Sequence, residues 1–259
     1  MKKLLFFYFC LSLFFIMSSS LNSDTSQLPF KIGEELIFQV NYGILNGGTF
    51  TMSITENDTV SGHKCYHIKS RTKTNKFFDI IYKVRDKIDS YWDMEKLVSR
   101  KYVKKLSEGH YKQFRIHYYF PEDTLTQYVK HRKGKITKTE FKSLPNAQDA
   151  LSIFYYIRLH NFNVGDSIYV NVTADGRNYK TKVMIEEKKK LNTIFGEQEC
   201  FKVHPVIEGE TIFKQTGEMY LWLTADEYKI PVKLESEVKY GKFSFRLKDA
   251  KNVRLKIKK

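Results

Sequence analysis

Apolar and polar residues alternate with a period of two along most of the chain. Leu36, Phe38, Val40 and Tyr42 form one such set, and Phe50, Met52 and Ile54 another. Phe114, Ile116, Tyr118 and Phe120 continue it, as do Ile230, Val232 and Leu234, and then Phe243, Phe245 and Leu247. Period two puts one set of side chains on each face of a strand, so these segments predict antiparallel sheet with one buried side. A sheet with one apolar face must bury that face, and long twisted strands do so by curling.

One segment departs from the strand period. From Asn146 to His160, Ala150, Ile153, Phe154 and Ile157 fall at i, i+3, i+4 and i+7. That spacing predicts an amphipathic helix over 146–160, with Asn146 as its cap after Pro145. The expected fold is therefore mainly β, a curved antiparallel sheet or half-barrel with this one helix packed on the concave face.

The two sides of the helical segment resemble each other at an offset of about 132 residues. Ile32-Gly33-Glu34-Glu35-Leu36 matches Val164-Gly165-Asp166-Ser167-Ile168. Gly62 to Ile68, with Cys65, matches Gly196 to Val203, with Cys200. Tyr91-Trp92 matches Leu221-Trp222, and Val98 and Gly109 match Ile230 and Gly241. The pattern predicts two similar halves, about 30–120 and 162–250, linked through the helix within one β-rich domain over 21–259.

The N-terminal residues change the compartment. Lys2 and Lys3 precede the apolar run Leu4 to Met17, and Ser18, Ser19 and Ser20 follow it. This layout predicts a secretory signal peptide over 1–20, and the run is too short to span a bilayer core comfortably. Composition agrees with a chain of many strands: 20 Phe and 17 Tyr stand beside 13 Gly and 5 Pro. The formal net charge of +15 is spread along the chain. For an exported protein in the periplasm or outer envelope, the polyanions within reach are lipid headgroups and glycolipids rather than nucleic acid.

Candidate chemistry is sparse. His63, Cys65 and His67 lie on one side of a predicted strand, but neighbours on one face are about 7 Å apart, too far for three to converge on a metal. No metal site and no cofactor are expected. Cys65 and Cys200 are the cysteines beyond the leader; their matching places in the two halves make a disulfide an open possibility. Ser152 is not in a nucleophile elbow, and no phosphate-cradling loop is present, so no catalytic residue is assigned. The aromatic residues Phe77, Phe78, Tyr82, Phe154, Tyr155, Tyr156 and Trp222 are candidates to line an apolar cavity between helix and sheet. Phe154, Tyr155, Trp222 and Arg158 are the chosen lining set, with Arg158 also a candidate for a buried ion pair.

Three stretches are characteristic together: Tyr42-Gly43-Ile44-Leu45-Asn46-Gly47-Gly48, Asp149-Ala150-Leu151-Ser152-Ile153-Phe154-Tyr155-Tyr156-Ile157-Arg158, and Leu221-Trp222-Leu223-Thr224-Ala225-Asp226 leading to Ile230-Pro231-Val232. With the Gly-Glu opener, they resemble the exported bacterial family called domain of unknown function 3108, over roughly residues 28 to 250. The resemblance implies envelope location and no assigned activity. More distantly, a curved antiparallel sheet with a helix inside is similar to periplasmic lipoprotein carriers, an analogy of fold alone.

These features lead to the expectation of a non-enzymatic envelope protein that binds a lipid or another apolar, acyl-like ligand, with an anionic membrane surface as a further partner. The alternative is a protein or polysaccharide interaction module without a cavity. The sequence does not specify the oligomeric state.

Overall fold

The computed structural model describes residues 28–207, 218–238 and 241–258. The predicted leader over 1–20 lies outside them. Among the described residues, fourteen strands form one antiparallel sheet. The first eight are β1 (Glu35–Tyr42), β2 (Leu45–Val60), β3 (His63–Thr74), β4 (Arg85–Asp93), β5 (Ser99–Glu108), β6 (Tyr111–Phe120), β7 (Leu125–Arg132) and β8 (Lys135–Lys142). The other six are β9 (Ser167–Ala174), β10 (Arg177–Thr193), β11 (Gly196–Ile207), β12 (Met219–Thr224), β13 (Pro231–Val238) and β14 (Gly241–Lys251). Each group is a simple up-and-down meander. They join where β1 pairs with β14, so β8 and β9 are the outer edges.

The registers place one apolar row across the inner face. It runs Ile68, Ile54 and Met52, Leu36 and Phe38, Phe245 and Leu247, Leu234, Leu221, Val203 and Ile185, through successive cross-strand partners. Most of these side chains are fully buried. On β4 to β7 the same face turns polar. Ser90 opposes Tyr102, Tyr102 opposes His117, and His117 opposes Tyr128.

The sheet curls but does not close. The turn between β9 and β10 reaches the inner face of β5 and β6: Asp175 pairs with Lys104 and Arg115, and the Gly176 amide donates to His117 Nε2 at 3.0 Å. Tyr119 donates to the Thr173 carbonyl at 2.8 Å. The edge of β9 is covered by Gln148, which bonds on both sides of Val172 through Asn171 and Thr173. Strand β8 projects as a nearly fully exposed edge.

Among the described residues there are two short α-helices: α1 (Lys76–Ile81) between β3 and β4, and α2 (Ser152–Tyr156), continued by a 3-10 turn over Ile157–Leu159. The expected helix over 146–160 is thus present in part. Asn146 is not its cap but sits in a left-handed turn at φ 52°. Asp149 takes the leading amides instead, accepting from Leu151 and Ser152 at 2.8 Å each. The buried side is Leu151, Ser152, Tyr155, Ile157 and Arg158; of the expected apolar stripe Ile157 is buried, Ile153 and Phe154 are half-buried and Ala150 is exposed.

The meanders share a set of hydrogen bonds. Gly33 donates to Ile54 and Gly165 to Ile185; Ile54 donates back to Glu34 and Ile185 to Asp166. Both turns place their glycine at positive φ, 89° and 95°, where a side chain would be strained. Met94 donates to Lys64 as Ala225 does to Glu199, and Asp93 to Val98 as Thr224 does to Ile230.

This register corrects one expected match. Cys65 opposes Asp93, which places Tyr91 opposite His67; Cys200 opposes Thr224, which places Trp222 opposite Lys202. Trp222 therefore corresponds to Tyr91, one residue from Trp92. Because side chains alternate, a one-residue offset is a change of face. Trp92 points inward against Phe30 and Tyr66. Trp222 lies on the outer face beneath Lys189, whose ammonium is 4.5 Å from the ring centroid, and Lys233.

The same alternation corrects the disulfide. Tyr66 and Phe201 face inward, so Cys65 and Cys200 face outward. Five strands separate them in the sheet. Both are free, buried thiols, each donating to the carbonyl two residues back, His63 and Gln198. Burial raises Cys65 to about 11, with the Asp93 charge adding to it, and Cys200 to about 12.

Candidate functional site: an apolar cleft at one end of the sheet

In an up-and-down sheet every second connection lies at the same end. One end collects the α2 segment, the β12–β13 turn and the residues before β1. The other collects the β1–β2 turn, α1 and the β5–β6 turn.

The first end is filled. Arg158 is fully buried and donates to both Glu34 oxygens, at 2.6 and 3.0 Å. Its remaining bonds reach the carbonyls of Pro29 and Tyr228. Asp149, also fully buried, accepts from Ser90 and Ser99 at 2.6 Å each, besides the two helix amides. Burial pushes its carboxyl up, against the pull of those bonds. Tyr155 packs its ring against Phe30 at 5.2 Å. These contacts correct the expected lining set. Tyr155 and Arg158 are consumed in a plug, Phe154 packs beside it, Trp222 faces outward, and none of the four lines the cleft at the other end of the sheet. Arg158 holds the plug, and its carboxylate partner is Glu34.

The second end is open. A cleft of about 530 Å³ lies between α1 and the inner face of β1, β2, β3 and β14. Val40, Phe243 and Phe245 line its floor, and Phe78, Ile81, Tyr82 and Val84 its roof. Gly48, at the cleft, stands between Val40 and Thr74 in the pairing. A Cβ on Gly48 would lie 2.1 Å from the Lys73 carbonyl oxygen, so a glycine is required at this approach.

Polar bonds at its ends, not apolar burial, hold α1. Asn75 caps it, accepting from the Phe78 amide at 3.0 Å, and its Nδ2 donates to the Asn46 carbonyl at 2.6 Å. Asp79 accepts from Thr74 and pairs with Arg85 through both oxygens. The helix sits fixed with no side chain buried. Asp86 and Glu108 meet at the cleft wall, where burial and then the Asp86 charge raise the Glu108 carboxyl. A binding surface mostly of hydrocarbon and aromatic groups, with this acid pair and Lys73 at its margin, suits an apolar body rather than a charged one.

Of the aromatic residues singled out in the sequence, Phe78 and Tyr82 line the cleft, and Phe77 flanks it on α1. Sequence reasoning missed α1 itself. The signal was Asn75 followed by Phe77, Phe78, Ile80 and Ile81, a capped apolar cluster out of phase with period two. The Gly47-Gly48 pair, quoted for the family resemblance, is at the cleft. His63, Cys65 and His67 do not converge: His67 Nε2 is 3.0 Å from Asp89, His63 is 3.6 Å from Asp93, and Cys65 bonds its own strand.

Solved structures resemble this fold. A β-barrel-like protein of the domain of unknown function DUF1849, from Brucella abortus, is 10% identical; the match covers 85% of this chain and 98% of that one, with a TM-score of 0.56. Weaker likenesses are to a protein from Bacteroides fragilis described as exported with a YmcC-like fold (10% identity, 86% and 98% coverage, TM-score 0.32) and to one from Parabacteroides distasonis described as a lipoprotein (9%, 86% and 98%, 0.31). The first shows a shared fold; the other two add nothing to it. Among curated proteins none matches this sequence. A family model, protein of unknown function (DUF3108), matches residues 37–248, nearly the whole described chain, and the protein belongs to that family.

Proposed function

We propose that this is an exported envelope protein that binds an apolar, acyl-like ligand in the cleft beneath α1 and catalyses no reaction. The cleft carries the proposal. Its volume falls in the range of small-molecule pockets, roughly 300–1,000 Å³, and its lining is predominantly hydrocarbon. The leader-like segment 1–20 supports export. The shared turn and hairpin bonds support two copies of one structural unit, with α2 plugging one end and α1 lidding the other. Purification followed by native mass spectrometry and organic extraction tests this. Bound lipid or fatty acid in near-stoichiometric amount is expected. An adduct-free protein that also fails to take up added fatty acid rejects the proposal.

A second role, as a protein or polysaccharide module, is favoured by β8. Its side chains are exposed along almost the whole sheet edge, the kind of edge that accepts another strand. In-cell crosslinking from Thr137 that captures one dominant partner supports that role.

A further inference from the structure

The apolar groups around the cleft mouth exceed what the cleft uses. Ile44, at the β1–β2 turn, is 98% exposed, and Ile80 on α1 is 86% exposed. Ile81, Phe77, Leu45 and Tyr82 are also at least half exposed. They belong to one end of the sheet. Asn75, the cap of α1, bonds the carbonyls of Asn46 and Gly47, which directly follow Ile44 and Leu45. Scattered single apolar residues need no explanation, but a contiguous rim around a cavity does.

Charge selects the partner. Residues 73–85 contain Lys73, Lys76, Lys83 and Arg85 against the single acid Asp79, which is paired with Arg85. The three lysines are exposed beside the apolar rim. Asp86 and Glu108 face each other at the cleft wall, where Glu108 hydrogen-bonds Asp86. Exposed aliphatic and aromatic tips flanked by lysines fit the boundary of an anionic bilayer, where the tips enter the acyl region and the ammonium groups meet phosphates.

We infer that this end of the protein docks on an anionic lipid surface through Ile44, Phe77, Ile80 and Ile81, with Lys73, Lys76 and Lys83 against the headgroups. Docking places the mouth of the cleft at the membrane. The rim acts whether or not the cleft holds a ligand, so the two proposals fail separately.

The test is co-sedimentation with vesicles of phosphatidylethanolamine and phosphatidylglycerol, compared with vesicles of phosphatidylcholine alone. Wild-type protein is expected to sediment with the anionic vesicles and to be released by high salt. The Ile44→Asp/Ile80→Asp double variant changes exposed positions and keeps its circular dichroism and Tm; its bound fraction is expected to fall about tenfold or more. It should still bind a fluorescent fatty acid in the absence of vesicles. As an independent readout, Ile44→Trp should gain a blue-shifted emission on anionic vesicles that brominated lipid quenches. Wild-type protein that stays in the supernatant, or a double variant that sediments like wild type, overturns the inference. So does a wild-type dimer that the double variant dissociates without any effect on vesicle binding.

Discussion

The sheet meets a helix at each end, and the two helices are used in opposite ways. At the plugged end, α2 has only five residues, yet Ser152 and Tyr155 are buried and the following turn buries Ile157 and Arg158. At the open end, α1 has six residues and buries none. The difference lies in what anchors them. Asp149, Gln148 and Arg158 bond inward, to Ser90, Ser99, Leu97 and Glu34, so the plug must sit in the interior to satisfy them. Asn75 and Asp79 bond to neighbouring strand ends, which fixes α1 across the mouth and leaves its apolar side chains free. Polar anchors decide which helix completes the core and which becomes a surface for something else.

The largest expected effect breaks the plugged end. Arg158→Ala leaves Glu34 charged and unpaired in the interior, and denaturant unfolding should show a loss of about 3–5 kcal/mol. Replacing both partners, Arg158→Met with Glu34→Gln, should recover part of that loss. A single-variant loss below about 1 kcal/mol would mean that the plug is not held by this pair.

Acid should loosen the contact between the β9–β10 turn and β6. His117 is buried on the inner face, and burial lowers it from 6.5 to about 4. Its Nε2 accepts from Gly176, so the neutral ring is the form the fold holds. Between pH 6.5 and about 4 the unfolded chain takes up a proton that the folded chain does not, so stability falls as pH falls. The full loss is about 3 kcal/mol, reached below pH 4. Urea midpoints measured across that window should shift for wild type, and this component should be absent in His117→Phe.

At the open end the effects should be local and small. Asn75→Ala removes the cap of α1, at about 1 kcal/mol. Hydrogen exchange should quicken for the amides of 76–82 while those of 151–158 stay protected. Ile80→Asp should change global stability by less than about 0.5 kcal/mol, checked by thermal unfolding. Equal quickening at both ends in Asn75→Ala would erase the distinction between plug and lid.

The sheet was legible on β1, β2 and β14, where one buried face imposes period two, but on β6 the alternation marked Phe114, Ile116, Tyr118 and Phe120 while the buried inward residues are Gln113, His117 and Tyr119. The inner row Leu36, Phe38, Met52 and Ile54 is the row that the alternation marked. Register was less legible. The two tryptophans looked equivalent in sequence, but a residue of offset put Trp222 outside the sheet and Trp92 inside. Pairing, not alternation, decides which face a residue takes, and pairing is a long-range property. The same limit applied to Cys65 and Cys200. For the site, Phe78 and Tyr82 were among the aromatic candidates, whereas Tyr155 and Arg158 are drawn into the plug by partners distant in sequence, Phe30 and Glu34. Gly48 at the cleft is required by the close approach of the Lys73 carbonyl, and a glycine in a strand does not by itself say whether it marks a turn, a bulge or such an approach.

A titration with a fluorescent fatty acid such as cis-parinaric acid probes the cleft most directly. Wild type should bind it saturably at one site. Val40→Trp, which fills the floor beneath α1, should abolish that binding, and Trp222→Phe, on the outer face, should leave it unchanged. Val40→Trp binding as well as wild type, or Trp222→Phe losing the probe, would contradict a ligand site at the open end.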